Sequence, residues 1–186
     1  MSFRILFIFF FLYQCTNLNS SKDKVPNFSL LDTEDHVVEF YKLMETKKLS
    51  LIFFGYSHCP NVCYNTIHKF DIISQKLDPY LLKQIEFIFI SIDFKEDNRA
   101  TLLSMKQKTN PFVIFLRGNE QEIEKIKKAY SVKVYPINEM PGSKKNLIHS
   151  TSIFVVDKNL NIIHKISEDI NSEIITNLIQ TYFQSL

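Results

Sequence analysis

The sequence predicts a single α/β domain built on a central mixed sheet, with helices on its faces and a β-hairpin at its N-terminus. Three observations carry this. A continuous apolar run, residues 49–54, and a second apolar-rich segment, 85–92, have the composition of buried strands. Segments with helical spacing follow each of them, the pattern of parallel β-α-β units. Near the C-terminus, two strand-like runs flank a short polar turn before a last amphipathic helix, which adds an antiparallel pair.

Residues 27–31 and 37–41 are expected to form the hairpin around Asp32-Thr33-Glu34-Asp35. The strand at 49–54 leads to a helix over 63–77, whose apolar positions Ile67, Phe70, Ile73 and Leu77 share a face and which Asp78-Pro79 ends. The strand at 85–92 leads to a helix over 97–108 with Asp97 as N-cap. Next come a strand at 111–116, a turn at Arg117-Gly118-Asn119, and a helix over 120–130 with Ile123, Ile126 and Tyr130 on one side. A short strand at 131–135 precedes strands at 152–156 and 162–166, which a polar turn joins. The final helix, 169–183, carries Ile170, Ile174, Leu178 and Tyr182 on one stripe. A βαβ half followed by a ββα half is the order of a thioredoxin-like fold.

Composition narrows function. The 186 residues include 22 Lys+Arg against 20 Asp+Glu, a net charge of +2, which is too balanced to drive binding to a phosphate backbone. Nucleic acid is therefore not an expected partner. A hydrophobic content of 45% excludes a disordered chain. Three cysteines are too few for a disulfide-knitted scaffold.

Residues 1–14 read as an export signal. One positive charge, Arg4, precedes the apolar run 5–13, which is shorter than the ~20 residues of a membrane-spanning helix. Leu12, three positions before Cys15, resembles the bacterial lipoprotein signal, with Tyr13 and Gln14 where that pattern has small residues. Residues 15–24 read as a polar tether and 25–186 as the domain. The expected location is exported and membrane-associated, facing the periplasm or another extracytoplasmic space, with the membrane held through an N-terminal anchor or a lipid.

The other two cysteines, Cys59 and Cys63, lie in the loop that opens the first long helix, at the carboxyl edge where open α/β sheets place their ligands. A helix N-terminus favours thiolate over thiol. Three residues separate the pair, one more than in a C-x-x-C redox motif. A structural disulfide there would close too small a loop to constrain the unfolded chain much. A redox dithiol and a pair of soft metal ligands both remain open. Two thiolates with one imidazole suit Cu(I), whereas a structural zinc site takes four protein ligands. His58 beside Cys59, Asp93 at a strand end and Met140 in a polar loop are candidate neighbours. His36, His68 and His164 read as surface residues, and Lys144-Lys145 as a solvated pair.

Phe54-Gly55-Tyr56-Ser57-His58-Cys59-Pro60-Asn61-Val62-Cys63 resembles the F-G-[FY]-[ST]-x-C-P-x-x-C-P signature of the Sco/SenC family. Ser91-Ile92-Asp93 with Asp97 beyond, Leu116-Arg117-Gly118, Ala129-Tyr130 and Ile148-His149-Ser150 extend the resemblance over most of the chain. Tyr64 and Phe94 stand where the family has proline. The resemblance implies a membrane-tethered, thioredoxin-like copper protein that assists assembly of the CuA centre of cytochrome c oxidase. It implies Cys59, Cys63 and His149, 86 positions after Cys63, as ligands of copper, Cu(I) or Cu(II). The implied partner is the CuA subunit of the oxidase or another cuproprotein, and a metallochaperone is expected before an enzyme. Two alternatives stand beside it. One is a thiol–disulfide oxidoreductase in which Cys59 and Cys63 reduce the cysteines of a cuproprotein. The other is a thiol peroxidase, which Tyr56 disfavours because peroxiredoxins place a threonine at that position.

Overall fold

The computed structural model describes residues 24–109, 112–136 and 147–186. The expected export signal, Cys15, all of the tether but Lys24, Met140 and the Lys144-Lys145 pair lie outside the described residues. Among the described residues no helix is long and apolar enough to cross a membrane. The chain runs β1 (Ser29–Leu31), β2 (Val37–Glu39), α1 (Phe40–Met44), β3 (Leu49–Gly55), α2 (Val62–Lys76), α3 (Pro79–Leu82), β4 (Ile85–Ser91), α4 (Arg99–Gln107), β5 (Val113–Leu116), α5 (Glu120–Ala129), β6 (Val134–Pro136), β7 (Leu147–His149), β8 (Ser152–Asp157), β9 (Ile162–Ser167) and α6 (Ser172–Gln184).

The central sheet has the order β5-β4-β3-β8-β9. β3, β4 and β5 are parallel, and β8 is antiparallel to both β3 and β9. This is the mixed, thioredoxin-like sheet that the sequence predicts, and β1 with β2 forms the expected N-terminal hairpin. Every residue of β3 is buried, as its unbroken apolar run requires. Leu51, Phe53 and Gly55 alternate onto one face, in register with Phe87 and Phe89 of β4. Phe70 of α2 packs on Phe87 there, with ring centroids 5.2 Å apart. Ile52 and Phe54 point to the opposite face, where Tyr130 meets Phe54 and Phe154, each at 5.2 Å. The first helix of the βαβ unit is thus laid directly over the Gly55 face, and this fixes where its N-terminus falls.

Several expected elements change. The second hairpin strand ends at Glu39 and the chain turns into α1, because Phe40 and Met44, one helical turn apart, are both buried and Phe40 stacks on Phe28 at 4.7 Å. The predicted cap of α4 is corrected: Asn98, not Asp97, accepts from the N–H groups of Ala100 and Thr101. The stripe on α6 is out of phase. Ile175, Thr176 and Ile179 form the buried face, while Ile174 is 58% exposed. The strand expected at 131–135 is the short β6, and it pairs with β7, which the sequence did not announce.

The turn before α5 holds a reciprocal cap. Asn119 Oδ1 accepts from Glu122 N–H at 3.0 Å, and Glu122 Oε2 accepts from Asn119 N–H at 2.8 Å. Asn119→Ala is expected to lower stability by about 1 kcal/mol, read as a fall in the urea midpoint with an unchanged slope. At the far end of the sheet, Asp157 Oδ1 ties the β8–β9 turn by accepting from the N–H groups of Asn159 and Asn161. The N-terminal segment enters the fold there: Val25 N–H donates to Leu160 C=O at 2.9 Å.

Candidate metal centre

Residues 56–61 bridge β3 to α2. The Tyr56 carbonyl accepts from Cys59 N–H at 3.2 Å, which folds the loop back over the helix start. Asn61 occupies the N-cap position of α2 but makes no side-chain cap. The Cys59 sulfur takes that place and accepts from Cys63 N–H at 3.4 Å. A first-turn helix N–H aimed at sulfur favours the thiolate.

Cys63 can sit against the sheet only because Gly55 lies beneath it. A Cβ at Gly55 would stand 2.7 Å from Cys63 Sγ and 2.7 Å from Phe89 Cε2. Both are contacts that real Cβ atoms essentially never make.

His149 comes from the other end of the chain. Val134 of β6 pairs with it, and Ser150 N–H donates to Lys133 C=O at 3.0 Å. The imidazole edges against Phe53 at 6.2 Å and Tyr56 at 5.8 Å between ring centroids. Its Nδ1 lies 3.0 Å from the Ser150 carbonyl oxygen. A carbonyl can only accept, so Nδ1 carries a proton there and Nε2 is the nitrogen left for a ligand.

The three ligand atoms of Cys59, Cys63 and His149 all lie within 4.8 Å of one another, the one such His/Cys/Asp/Glu group among the described residues. Cys63 is fully buried, Cys59 is 6% exposed and His149 is 9% exposed. The thiols differ sharply in acidity. Donation from the Cys63 thiol comes first in holding the Cys59 thiol down at about 4. Contacts from His149 and the N–H groups of Cys63 and Asn61 add to it and together outweigh burial. Burial first, then the Cys59 sulfur beside it, push the Cys63 thiol far above its ordinary range. Two sulfurs and one imidazole nitrogen, with no carboxylate among them, are a soft donor set, and no fourth ligand from the described residues joins to complete a structural zinc site.

A family model for SCO1/SenC matches residues 16–184. The chain belongs to the SCO1/SenC family. The SCO2-like protein of Rickettsia typhi is 29% identical over 160 residues, which span 84% of this SCO1/SenC chain and 77% of its own length. ScoI of Bradyrhizobium japonicum, solved with copper bound, is 25% identical and matches with a TM-score of 0.75 over 86% of this chain and 99% of its own. Yeast Sco1 with copper bound shares the fold at a TM-score of 0.76 and 23% identity, over 88% and 90% of the two chains.

Around this SCO1/SenC dithiol the other candidates separate. His36, His68 and His164 are exposed, as expected. Asp93 Oδ1 accepts from the N–H groups of Lys95 and Glu96, both at 3.3 Å, so it closes a turn and caps no helix. Asp97 is the residue whose role sequence reasoning misassigned. Freed from capping by Asn98, its buried carboxylate accepts from Ser57 N–H at 2.9 Å, Ser57 Oγ at 2.5 Å and Ser91 Oγ at 2.6 Å. The Asp97-Asn98 doublet was the available signal, since only one of two adjacent capping residues can cap.

Proposed function

We propose that the protein is a copper metallochaperone. Cys59, Cys63 and His149 Nε2 hold one copper ion, which passes by ligand exchange to the CuA subunit of cytochrome c oxidase or to another cuproprotein. The observation that carries this reading is the meeting of the three donors within 4.8 Å, from segments far apart in sequence. Membership of the SCO1/SenC family and the copper held by the B. japonicum relative support it. In the same reading, residues 1–14 export the chain, residues 15–24 tether it to a membrane through an anchor or a lipid on Cys15, and residues 25–186 work in the extracytoplasmic space.

Titration of the reduced full chain in detergent with copper under chelator competition tests this. The expected stoichiometry is one, with binding lost in Cys59→Ala and Cys63→Ala. His149→Ala is expected to weaken binding at least about tenfold, since even groups that only orient a ligand are worth that much. Wild-type affinity in His149→Ala, for both oxidation states of copper, would remove the three-ligand site.

A second reading, reduction of cysteines in a cuproprotein target, draws on the closeness of the two sulfurs: the Cys59 thiol, held down first by Cys63, lies beside a more deeply buried thiol that burial keeps protonated. It requires Cys59 and Cys63 but not His149. Oxidase assembly restored by His149→Ala, and not by either Cys→Ala variant, would favour it.

A further inference from the structure

One more imidazole is prepared in the manner of His149. His58 is exposed and directly precedes Cys59. Its Nδ1 lies 3.1 Å from Ser57 Oγ. The Ser57 hydroxyl has a single proton, and that proton is directed at Asp97 Oδ1. The hydroxyl oxygen is therefore left to accept, and His58 Nδ1–H donates to it. Asp97 is itself immobilised: it also takes Ser57 N–H and the Ser91 hydroxyl, from the loop after β3 and the end of β4. A buried carboxylate thus fixes, through one hydroxyl, the tautomer of a surface histidine. The unshared pair falls on Nε2, the nitrogen not tied to the loop.

The other described surface histidines that have acidic neighbours differ. His36 lies 3.5 Å from Asp32 and 3.9 Å from Glu34, and His68 lies 4.0 Å from Asp71, contacts too long for firm hydrogen bonds. Metal-binding histidines characteristically donate their second nitrogen to a carboxylate, a backbone carbonyl or water. His149 does so to the Ser150 carbonyl, and His58 does so through Ser57 to Asp97. His58 nevertheless stands outside the three-donor group, whose members are nearly sealed from solvent.

We propose that His58 is a transit ligand. Its Nε2 takes a copper ion from solution and passes it to the Cys59 sulfur, the outer of the two thiols, from which the ion settles between Cys59, Cys63 and His149. Ser57 and Asp97 are positioning residues that aim the ring. This inference rests on the copper-binding reading above.

Anaerobic transfer of copper(I) from a coloured chelate to the reduced full chain in detergent tests it, because the rate of colour loss reports loading and the endpoint reports affinity. His58→Ala is expected to load about tenfold more slowly, with the wild-type endpoint. Ser57→Ala keeps the ring and the backbone contact to Asp97 but cuts the relay, and it is expected to slow loading by a smaller factor. A wild-type loading rate in His58→Ala overturns the inference while leaving the three-ligand site intact. A fall in the His58→Ala endpoint in proportion to its rate also overturns it, since His58 would then belong to the final site. If the wild-type chain takes no copper from the chelate, the copper reading fails and this inference fails with it.

Discussion

Gly55→Ala is expected to damage the protein twice, in stability and in metal affinity. The added methyl would lie 2.7 Å from both Cys63 Sγ and Phe89 Cε2, and 3.1 Å from Phe53 Cε1. None of these is the free end of a long flexible side chain. Phe53 and Phe89 are core rings, and Cys63 is held on the first turn of α2. Overpacking of this kind lowers stability by about 1–3 kcal/mol. The smallest of the obstructing side chains is that of Cys63, so part of the strain is relieved by displacing its sulfur from its place in the three-donor group. Copper affinity is therefore expected to fall by about 10–100-fold, measured by chelator competition below the unfolding midpoint. Gly118→Ala is the control. Its Cβ would meet Leu30 Cδ2 at 2.5 Å and Glu122 Oε2 at 2.8 Å, among residues outside the metal group. It should keep its affinity, and lose less stability than Gly55→Ala, because both atoms end flexible side chains. Equal copper affinity in Gly55→Ala and wild type would show that Cys63 is not placed by this contact.

The second large effect is a separation of the two thiols by pH. Cys59 ionises near 4, held there first by the Cys63 thiol, while burial keeps Cys63 protonated well into alkali. Alkylation of the reduced protein by iodoacetamide at about pH 6, where an ordinary thiol of pKa ~8.5 scarcely reacts, is expected to give one adduct, on Cys59. Peptide mapping that finds both residues labelled, or neither, would contradict the split. Stability follows from the same shifts. Between the folded value near 4 and the unfolded value near 8.5, the unfolded chain binds the extra proton at Cys59. Stability from Cys59 therefore rises with pH across that window and is lost as pH falls toward 4. Cys63 acts in the opposite sense: its raised value makes the folded chain the better proton binder above about pH 8.5, so its contribution declines as pH climbs further. The pair is expected to stabilise the domain most near the ordinary thiol pKa. Urea midpoints of wild type and of Cys59→Ser, compared across pH, provide the check.

The parts of the molecule that were legible in the sequence are those with local causes. β3 and β4 announced themselves as segments dominated by apolar residues because nearly all of their positions are buried. α2 and α5 announced themselves through apolar spacing, with Ile67, Phe70 and Ile73 in one and Ile123 and Ile126 in the other buried as expected. The cysteine pair was legible because its spacing and its place before a helix are local. The failures are tertiary. α1 has five residues, too few to show a period, and forms because Phe40 and Met44 are both buried in the core. In α6 the adjacent isoleucines 174 and 175 allowed two phases, and packing chose the second. His149 reaches the dithiol through β6 and β7, a pairing without a sequence period, and only the family resemblance pointed to it. Asp97 looked like a cap because an acid before a helix usually is one. Its burial depends on two serines, one of them forty positions away.

The entry point of the N-terminal segment has a practical consequence. Val25 is pinned at the β8–β9 turn, and Asp157 at that turn is in register with Leu49, the first residue of β3. The dithiol follows Gly55, the last residue of the same seven-residue strand, about 20 Å away. Whatever holds the front of the chain therefore grips the domain at its base and leaves the sulfurs on the crown. Protein fixed to a bead or an electrode by its N-terminus is expected to be held from the end of β3 opposite the dithiol, so a captured layer is suited to watching metal arrive and leave.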